Sequence, residues 1–259
     1  MLVDSHCHLE YEGLVEDQAA VLERAKGRGV DAFLNISTKQ AEWEQVVHTA
    51  ETRETVWASV GIHPHNADDH PNLTQEELLA ATQHPRVIGI GETGLDYYYD
   101  HSDREAQQRL FRIHIAVCRE TQLPLIIHTR DAEDDTLRIL KDEMEKGAFP
   151  ALIHCFTASD EFGRAVLDLG LSISLSGIVT FKNAKSLQEF AKAIPSERLL
   201  VETDSPFLAP VPNRGKTCEP AFVSDTAAFL ADLRNESLDD LAAYTSDNFY
   251  RLFAKARRL

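Results

Sequence analysis

Short apolar stretches typical of buried β-strands alternate with helical patterns along the chain, and this alternation restricts the fold more than any other feature. We predict strands at residues 2–6, 32–36, 56–60, 87–90, 125–127, 151–153, 171–175 and 199–201. Apolar residues spaced as on one face of a helix follow each strand, at residues 17–28, 41–51, 75–83, 104–121, 134–146, 160–169 and 184–193. Two more helices are predicted at residues 221–233 and 238–253.

Eight strands that alternate with helices in 259 residues predict the α/β class and a (β/α)8 TIM barrel with an extra C-terminal helix. We predict a single domain over residues 1–259, because no low-complexity segment or long linker interrupts the pattern. The alternative is an open doubly wound sheet, whose first strand normally leads into a GxGxxG loop. No such loop follows the first strand here.

The charge and the cysteine content exclude several classes of protein. A formal net charge of −16 argues against a broad basic face for duplex DNA. It does not exclude a phosphate substrate, since bound cations can reverse the local field. Cys7, Cys118, Cys155 and Cys218 are widely spaced, as expected for a reduced protein without disulfides or a cysteine-rich zinc site. We find no signal peptide and no transmembrane run, and therefore predict a cytoplasmic protein.

Ligand-type side chains follow five of the predicted strands. In TIM barrels the active site lies at the carboxyl ends of the strands. His6 and His8 come at the end of the first strand, two residues apart and therefore on one face. Later strands lead into Glu92, His128, His154 and Asp204. Four imidazoles and two carboxylates are too many for one tetrahedral ion, and they suit two adjacent ions with a shared carboxylate.

The sequence resembles the TatD family of metal-dependent deoxyribonucleases, which lies among the amidohydrolase-like TIM-barrel hydrolases. The resemblance rests on the ordered blocks VDSHCHL, SVGIHPH, IGIGETGLDYYY, IIHTRDA, LIHCFT and LLVETDSPFLAP. It implies one metal held by His6, His8, Glu92 and Asp204, and a second held by Glu92, His128 and His154. Two divalent cations per chain are therefore expected, and Mg²⁺, Mn²⁺ and Zn²⁺ are all compatible with these donors.

The resemblance also implies cleavage of DNA phosphodiester bonds, as a 3′–5′ exonuclease that favours single strands, through two-metal activation of water. We assign catalytic roles to Asp204 as general base, to Glu92 as the bridging ligand and to His63. His63 is predicted to bind the scissile phosphate or assist the leaving oxygen, and Arg130 to bind substrate. We expect a monomer with a DNA substrate, no membrane and no obligate protein partner.

Other interpretations stay open at this point. The same dinuclear centre would polarise a carbonyl group as well, so hydrolysis of another ester or amide, such as a D-aminoacyl-tRNA, is the alternative. A structural metalloprotein is a third interpretation. Among single residues, His63 is alternatively fixed in a loop by Pro64, and Arg130 alternatively pairs with Asp131.

Four other residue sets carry expectations. Glu202 is expected either to orient a ligand histidine or to be a hydrogen-bonded strand carboxylate. Cys7 and Cys155 are expected to be buried thiols that point away from the metals. Tyr97, Tyr98 and Tyr99 are expected to pack their loop or to stack on a base. Residues 205–219, which follow the last strand, are a candidate substrate loop.

Overall fold

Eight parallel strands and nine helices make up the part of the protein that the computed structural model describes, residues 1–258. The strands β1 to β8 are Leu2–Cys7, Val30–Asn35, Val56–Val60, Val87–Asp96, Leu125–Arg130, Ala151–Ile153, Ser172–Leu175 and Leu199–Val201. Each strand pairs in parallel with the next in chain order. The sheet nearly closes into a barrel, since Cys7 of β1 forms a parallel bridge with Ser205 just after β8. The predicted α/β barrel is confirmed.

The helices occupy the intervals between the strands, as predicted. They are α1 Gln18–Lys26, α2 Trp43–Thr52, α3 Gln75–Ala81, α4 Arg104–Thr121, α5 Glu133–Met144, α6 Asp160–Asp168, α7 Lys185–Ala193, α8 Val223–Arg234 and α9 Leu238–Leu252. Side-chain caps fix several starts. Asp103, for example, accepts hydrogen bonds from the backbone N–H groups of Glu105 and Ala106 at the start of α4. Among residues 1–258, none of the helices has the length and hydropathy that a membrane span requires.

The C-terminal helix α9 packs against apolar side chains from the first halves of the strands. Phe249 and Phe253 are fully buried and belong to one cluster with Val3, Ile88 and Leu200. Replacing a buried phenylalanine of this kind with alanine typically costs about 3–5 kcal/mol. The extra C-terminal helix is therefore part of the core, and the strand ends that carry the candidate ligands lie away from it.

Strand β4 is longer than predicted, because its pairing with β5 continues to Asp96, opposite Arg130. Glycines make this pairing possible. A Cβ atom added to Gly94, whose φ is +140°, would lie 2.0 Å from the carbonyl oxygen of His128. Gly89, Gly91 and Gly94 have the spacing of a GxGxxG phosphate loop, yet all three lie inside a strand. Because these glycines have no side chain, the neighbouring strands can approach closely. Strand β4 therefore continues past Glu92, which lies within the strand rather than after it.

Two irregularities in strand pairing coincide with candidate ligands. Strand β1 has one more residue than β2 between the pairs Asp4–Phe33 and Cys7–Asn35. Strand β4 likewise has one more residue than β5 between the pairs Ile90–Leu125 and Thr93–Ile127. A β-bulge of this kind changes the direction of a side chain and is frequent beside active sites. His6 and Glu92 lie in these two bulges.

Candidate metal centre

The carboxylate of Glu92 lies at the middle of the six predicted ligands. Its Oε2 atom is 3.4 Å from Nε2 of His6 and 3.9 Å from Nε2 of His8. Its other oxygen, Oε1, is 2.7 Å from Nε2 of His154 and 3.0 Å from Nδ1 of His128. The side chain is 4% exposed. The two oxygens of one buried carboxylate thus face two different pairs of imidazoles.

Asp204 completes the group around His6 and His8. Its Oδ1 atom lies 3.6 Å from Nε2 of His6 and 3.4 Å from Nε2 of His8, and the two ring nitrogens are 3.3 Å apart. The backbone of Asp204 is left-handed, with φ +57°, and its N–H donates to the carbonyl oxygen of His6 at 2.9 Å. The seam between β1 and β8 therefore places this carboxylate beside both imidazoles.

His63 lies closer to the ligands than the sequence suggested. Its Nε2 atom is 3.4 Å from Oε1 of Glu92, and the ligand atoms of His63, Glu92 and His128 all lie within 4.8 Å of one another. His63 is not among the ligands that the family resemblance implies for either metal. The geometry admits both a ligand and a phosphate-binding group at this position, so the assignment of His63 stays a prediction.

The donor set fits divalent cations. A tetrahedral ion with nitrogen and oxygen ligands at about 2.0–2.1 Å holds those ligands about 3.3–3.4 Å apart. Most separations among His6, His8, Glu92 and Asp204 are 3.3–3.6 Å, and that between His8 and Glu92 is 3.9 Å. Two carboxylates and neutral imidazoles are also the chemistry that such ions bind. These clusters are therefore candidate metal-binding sites.

The imidazoles keep both carboxylates ionised. Burial by itself would raise the pKa of Glu92, but the neighbouring His154 and His63 hold it well below its usual range. Burial opposes ionisation of Asp204 in the same way, and the hydrogen bond from His8 lowers its pKa. Ionised carboxylates are the form that binds a cation.

Two of the candidate ligand histidines contact a further carboxylate through their second ring nitrogen. Nδ1 of His154 lies 3.3 Å from Oε1 of Glu202, whose other oxygen accepts a hydrogen bond from Ser174. Nε2 of His128 lies 3.1 Å from Oδ2 of Asp96. Metal-binding histidines commonly use their second nitrogen in this way. Glu202 therefore lies where we expected an orienting group.

Asp96 is a residue of this site that was not predicted from the sequence. It is four residues after Glu92 in the same strand, and the two carboxylates contact different ring nitrogens of His128. The predicted fourth strand ends at residue 90, and only its extension to residue 96 brings Asp96 to the same end of the barrel. Asp96 also accepts hydrogen bonds from the N–H groups of Tyr98 and Tyr99, at 3.0 Å each.

Asp4 was missed as well. It is fully buried, and its two oxygens accept hydrogen bonds from the N–H and the hydroxyl group of Thr203, at 2.8 and 2.6 Å. Burial raises the pKa of Asp4 to about 8. The residue ties β1, which carries His6, to the segment that carries Asp204.

A cavity of about 790 Å³ opens over the candidate metal ligands on both sides of Glu92. Besides ligands, its lining includes Tyr11, Asn66 and Thr129. The predicted substrate loop after β8 contributes Phe207, which is 52% exposed, and Leu208. A cavity of this size, with an exposed aromatic ring at its edge, has room for an organic substrate beside the ligands.

Arg130 also lines this cavity. Its guanidinium carbon lies 4.0 Å from the ring centre of Tyr98 and 4.7 Å from that of Tyr99. The alternative partner, Asp131, forms no salt bridge with it within residues 1–258. Tyr97 instead packs the loop, with its hydroxyl group donating to Asp135 at 2.8 Å.

The two cysteines beside the ligands differ from each other. Cys7 is fully buried and donates to the carbonyl oxygen of Leu34, as expected of a thiol that faces away from the cavity. The prediction for Cys155 was wrong, because this half-buried residue lines the cavity and its Sγ lies 3.2 Å from Oγ of Ser176. Its backbone is left-handed, with φ +44°, which ends the strand alternation on which the prediction relied.

Known proteins resemble this chain over nearly its full length. The profile of a family described as TatD related DNase matches residues 3–254. The chain is 45% identical over 255 residues to an uncharacterized metal-dependent hydrolase, YcfH, of Escherichia coli, covering 97% of this chain and 95% of that protein. It is 34% identical over 243 residues to a Klebsiella pneumoniae protein named 3′-5′ ssDNA/RNA exonuclease TatD, covering 92% of each.

The fold has a close counterpart among solved structures. The crystal structure of YJJV, a TatD homolog from Escherichia coli K12, matches with a TM-score of 0.91. The sequence identity is 28%, and the match covers 98% of each chain. The barrel and its connections are therefore shared along the chain.

Proposed function

This chain belongs to the TatD family of metal-dependent hydrolases, and we propose that it cleaves phosphodiester bonds of single-stranded DNA as a 3′–5′ exonuclease. The name of the Klebsiella pneumoniae relative supports a nucleic-acid substrate. The observation that carries the proposal is the position of Glu92, whose two oxygens face two separate groups of imidazoles. One carboxylate in this position is suited to bridge two cations.

Two divalent cations per chain are part of the proposal. His6, His8, Glu92 and Asp204 would hold one, and Glu92, His128 and His154 the other. Mg²⁺, Mn²⁺ or Zn²⁺ bound there would neutralise phosphoryl oxygens and lower the pKa of a water molecule. Their positive charge would also offset the net charge of −16 near the site, so that a polyanion could approach it.

The protein's own groups would handle the proton and the substrate. Asp204 is 16% exposed and lines the cavity, and we assign its carboxylate to accept the proton of the attacking water. His63 is 12% exposed and also lines the cavity, where its ring can contact the scissile phosphate. Asp96 and Glu202 keep the rings of His128 and His154 in place. Arg130 at the cavity edge contacts the substrate.

We further propose a cytoplasmic monomer that needs no protein partner and no membrane. All four cysteines are free thiols, which is compatible with a reducing compartment.

An assay with defined substrates tests the proposed function. Metal-reconstituted protein is incubated with 3′-labelled single-stranded DNA, duplex DNA, RNA and a D-aminoacyl-tRNA, and the products are mapped. We expect release of nucleotides from the 3′ end, fastest on single-stranded DNA. Deacylation of the D-aminoacyl-tRNA without cleavage of any oligonucleotide would overturn the proposal in favour of the alternative hydrolase.

A further inference from the structure

The guanidinium group of Arg130 lies at the cavity edge, beside the candidate metal ligands but not among them. Arg130 is the only lysine or arginine among the cavity-lining residues of the described chain. It is exposed and stacks on two tyrosine rings that are 56% and 49% exposed, those of Tyr98 and Tyr99. The rings and the guanidinium group together offer an aromatic surface and a positive charge at the cavity edge, which suits an anionic ligand.

The charge of Arg130 is not neutralised by the protein. Within residues 1–258 no carboxylate forms a salt bridge with it, although the chain has 42 acidic residues. Arg104 and Arg138 on the neighbouring helices do pair with carboxylates, those of Asp100 and Asp135. The rings of Tyr98 and Tyr99 are perpendicular to each other and both lie against the guanidinium group. The N–H groups of Arg130 have no carboxylate partner within residues 1–258 and can donate to an anion.

The position of this group is fixed relative to the ligands. The backbone of Arg130 lies opposite that of Asp96, where β4 and β5 end. The carbonyl oxygen of Arg130 accepts a hydrogen bond from the backbone N–H of Tyr97 at 2.9 Å. One oxygen of Asp96 holds the N–H groups of Tyr98 and Tyr99, while the other faces His128. The stacked group is therefore held by the same carboxylate that orients a candidate ligand.

We propose that Arg130, backed by Tyr98 and Tyr99, binds the substrate phosphate next to the scissile one, on its 5′ side. The inference rests on the proposed function. An enzyme that removes a 3′-terminal nucleotide has the next phosphodiester only on the 5′ side of the scissile bond. The guanidinium fork matches the oxygens of such a phosphate, and the two tyrosine rings restrict where the group can lie. The site thus recognises a strand of at least three nucleotides rather than an isolated diester.

A trinucleotide with one neutral linkage tests this directly. TpTpT is compared with the same molecule whose first linkage is a methylphosphonate, so that only the phosphate next to the scissile one loses its charge. For the wild-type enzyme we expect kcat/KM to fall about tenfold with the neutral linkage. For Arg130→Ala we expect the natural substrate to be about tenfold poorer and the neutral linkage to cause no further loss. If the neutral linkage lowers kcat/KM by the same factor in the wild type and in Arg130→Ala, the inference is overturned.

Arg104→Ala is the matched control. Arg104 is also an exposed arginine beside a tyrosine ring, with its guanidinium carbon 4.2 Å from the ring centre of Tyr97, but it does not line the cavity. It should behave as the wild type with both trinucleotides. The double variant Tyr98→Leu, Tyr99→Leu should fall between wild type and Arg130→Ala, because the guanidinium remains but is no longer held. A penalty as large in Arg104→Ala as in Arg130→Ala would show that general charge, not this site, is responsible.

Binding and a one-phosphate substrate separate this inference from the proposed function. Metal-loaded protein is titrated into labelled oligothymidylate whose 3′-terminal linkage is a methylphosphonate and resists cleavage, at several salt concentrations, with fluorescence anisotropy as the readout. The slope of log Kd against log salt should decrease by about 0.7 in Arg130→Ala, as for one lost contact to a single strand. An unchanged slope contradicts the inference alone. Failure of the metal-loaded wild type to cleave thymidine 5′-(4-nitrophenyl phosphate) and TpTpT contradicts the proposed function itself.

Discussion

Oδ2 of Asp96 lies 3.1 Å from Nε2 of His128 and joins the loop at the cavity edge to a candidate metal ligand. The same oxygen is 2.8 Å from Nε2 of His65, and the side chain is 1% exposed. The imidazole of His128 is therefore held from behind, with Nδ1 turned toward Glu92. This arrangement fixes which ring nitrogen is available to a cation.

Replacing Asp96 with asparagine should weaken metal binding while preserving the barrel. The amide has the same shape but accepts weaker hydrogen bonds from the two imidazoles, and loss of such a partner typically costs about 10–100-fold in metal affinity. Titration calorimetry with Mn²⁺ measures the change. Asp100→Asn, an exposed residue on the same loop that pairs with Arg104, is the control and should bind Mn²⁺ as the wild type does. An unaltered Kd in Asp96→Asn would contradict the orienting role.

Removing the bridging carboxylate should abolish turnover. In Glu92→Ala, both imidazole groups lose their shared oxygen donor, so we expect no detectable hydrolysis of a DNA oligonucleotide and a lower metal content. Circular dichroism should show an intact barrel. Near wild-type hydrolysis in this variant would show that the bridging assignment is wrong.

His63→Ala distinguishes the two roles that the geometry admits for this residue. If His63 contacts the phosphate, as we predict, kcat/KM falls by about 10²–10⁴-fold, the range for a positioned acid–base group, and metal content stays the same. Metal content is measured by atomic emission after gel filtration. A loss of metal that parallels the loss of activity would place His63 among the ligands.

The stability of the metal-free protein should depend on pH through His114. Burial lowers the pKa of His114 to about 4, although the hydrogen bond to Leu110 opposes this. Its Nε2 accepts the N–H of Ile62, the residue before His63, at 3.0 Å. The unfolded chain takes up a proton near pH 6.5, and the folded chain does so only near pH 4. The contribution of neutral His114 to the free energy of unfolding is therefore fully present above pH 6.5. It is lost as the pH falls toward 4, and amounts to about 3 kcal/mol in all.

Urea unfolding at pH 7.5 and pH 5 measures this contribution. The wild type should lose about 2 kcal/mol more than His114→Gln between the two pH values, because all other titrating groups are common to both proteins. Parallel pH dependence in the two proteins would show that His114 is not held neutral in the fold.

Much of the fold follows from the sequence because each strand and helix is specified locally. Helix α4 has the predicted bounds, since Asp103 caps its start and apolar residues follow the helical spacing. The bulges in β1 and β4 were not predictable in this way. They arise from pairing with β2 and β5, and no local pattern shows where the extra residue lies.

The residues of the candidate site were predicted only in part. The position of six ligand-type residues at one end of the barrel follows from strand order, and the structure brings all six together. Asp96 was not predicted because the predicted fourth strand ends at residue 90, and the pairing that extends it to residue 96 is not visible locally. Asp4 was not predicted because its partner Thr203 is distant in the chain. Metal ligation by the six residues, the single domain and the monomeric state stay predictions.

The central claim is that Glu92 bridges two cations, and anomalous scattering from a crystal grown with Mn²⁺ tests it most directly. We predict two Mn²⁺ peaks per chain, about 3.5–4 Å apart, with one oxygen of Glu92 bound to each. A single peak, or two peaks that Glu92 does not join, would contradict the claim.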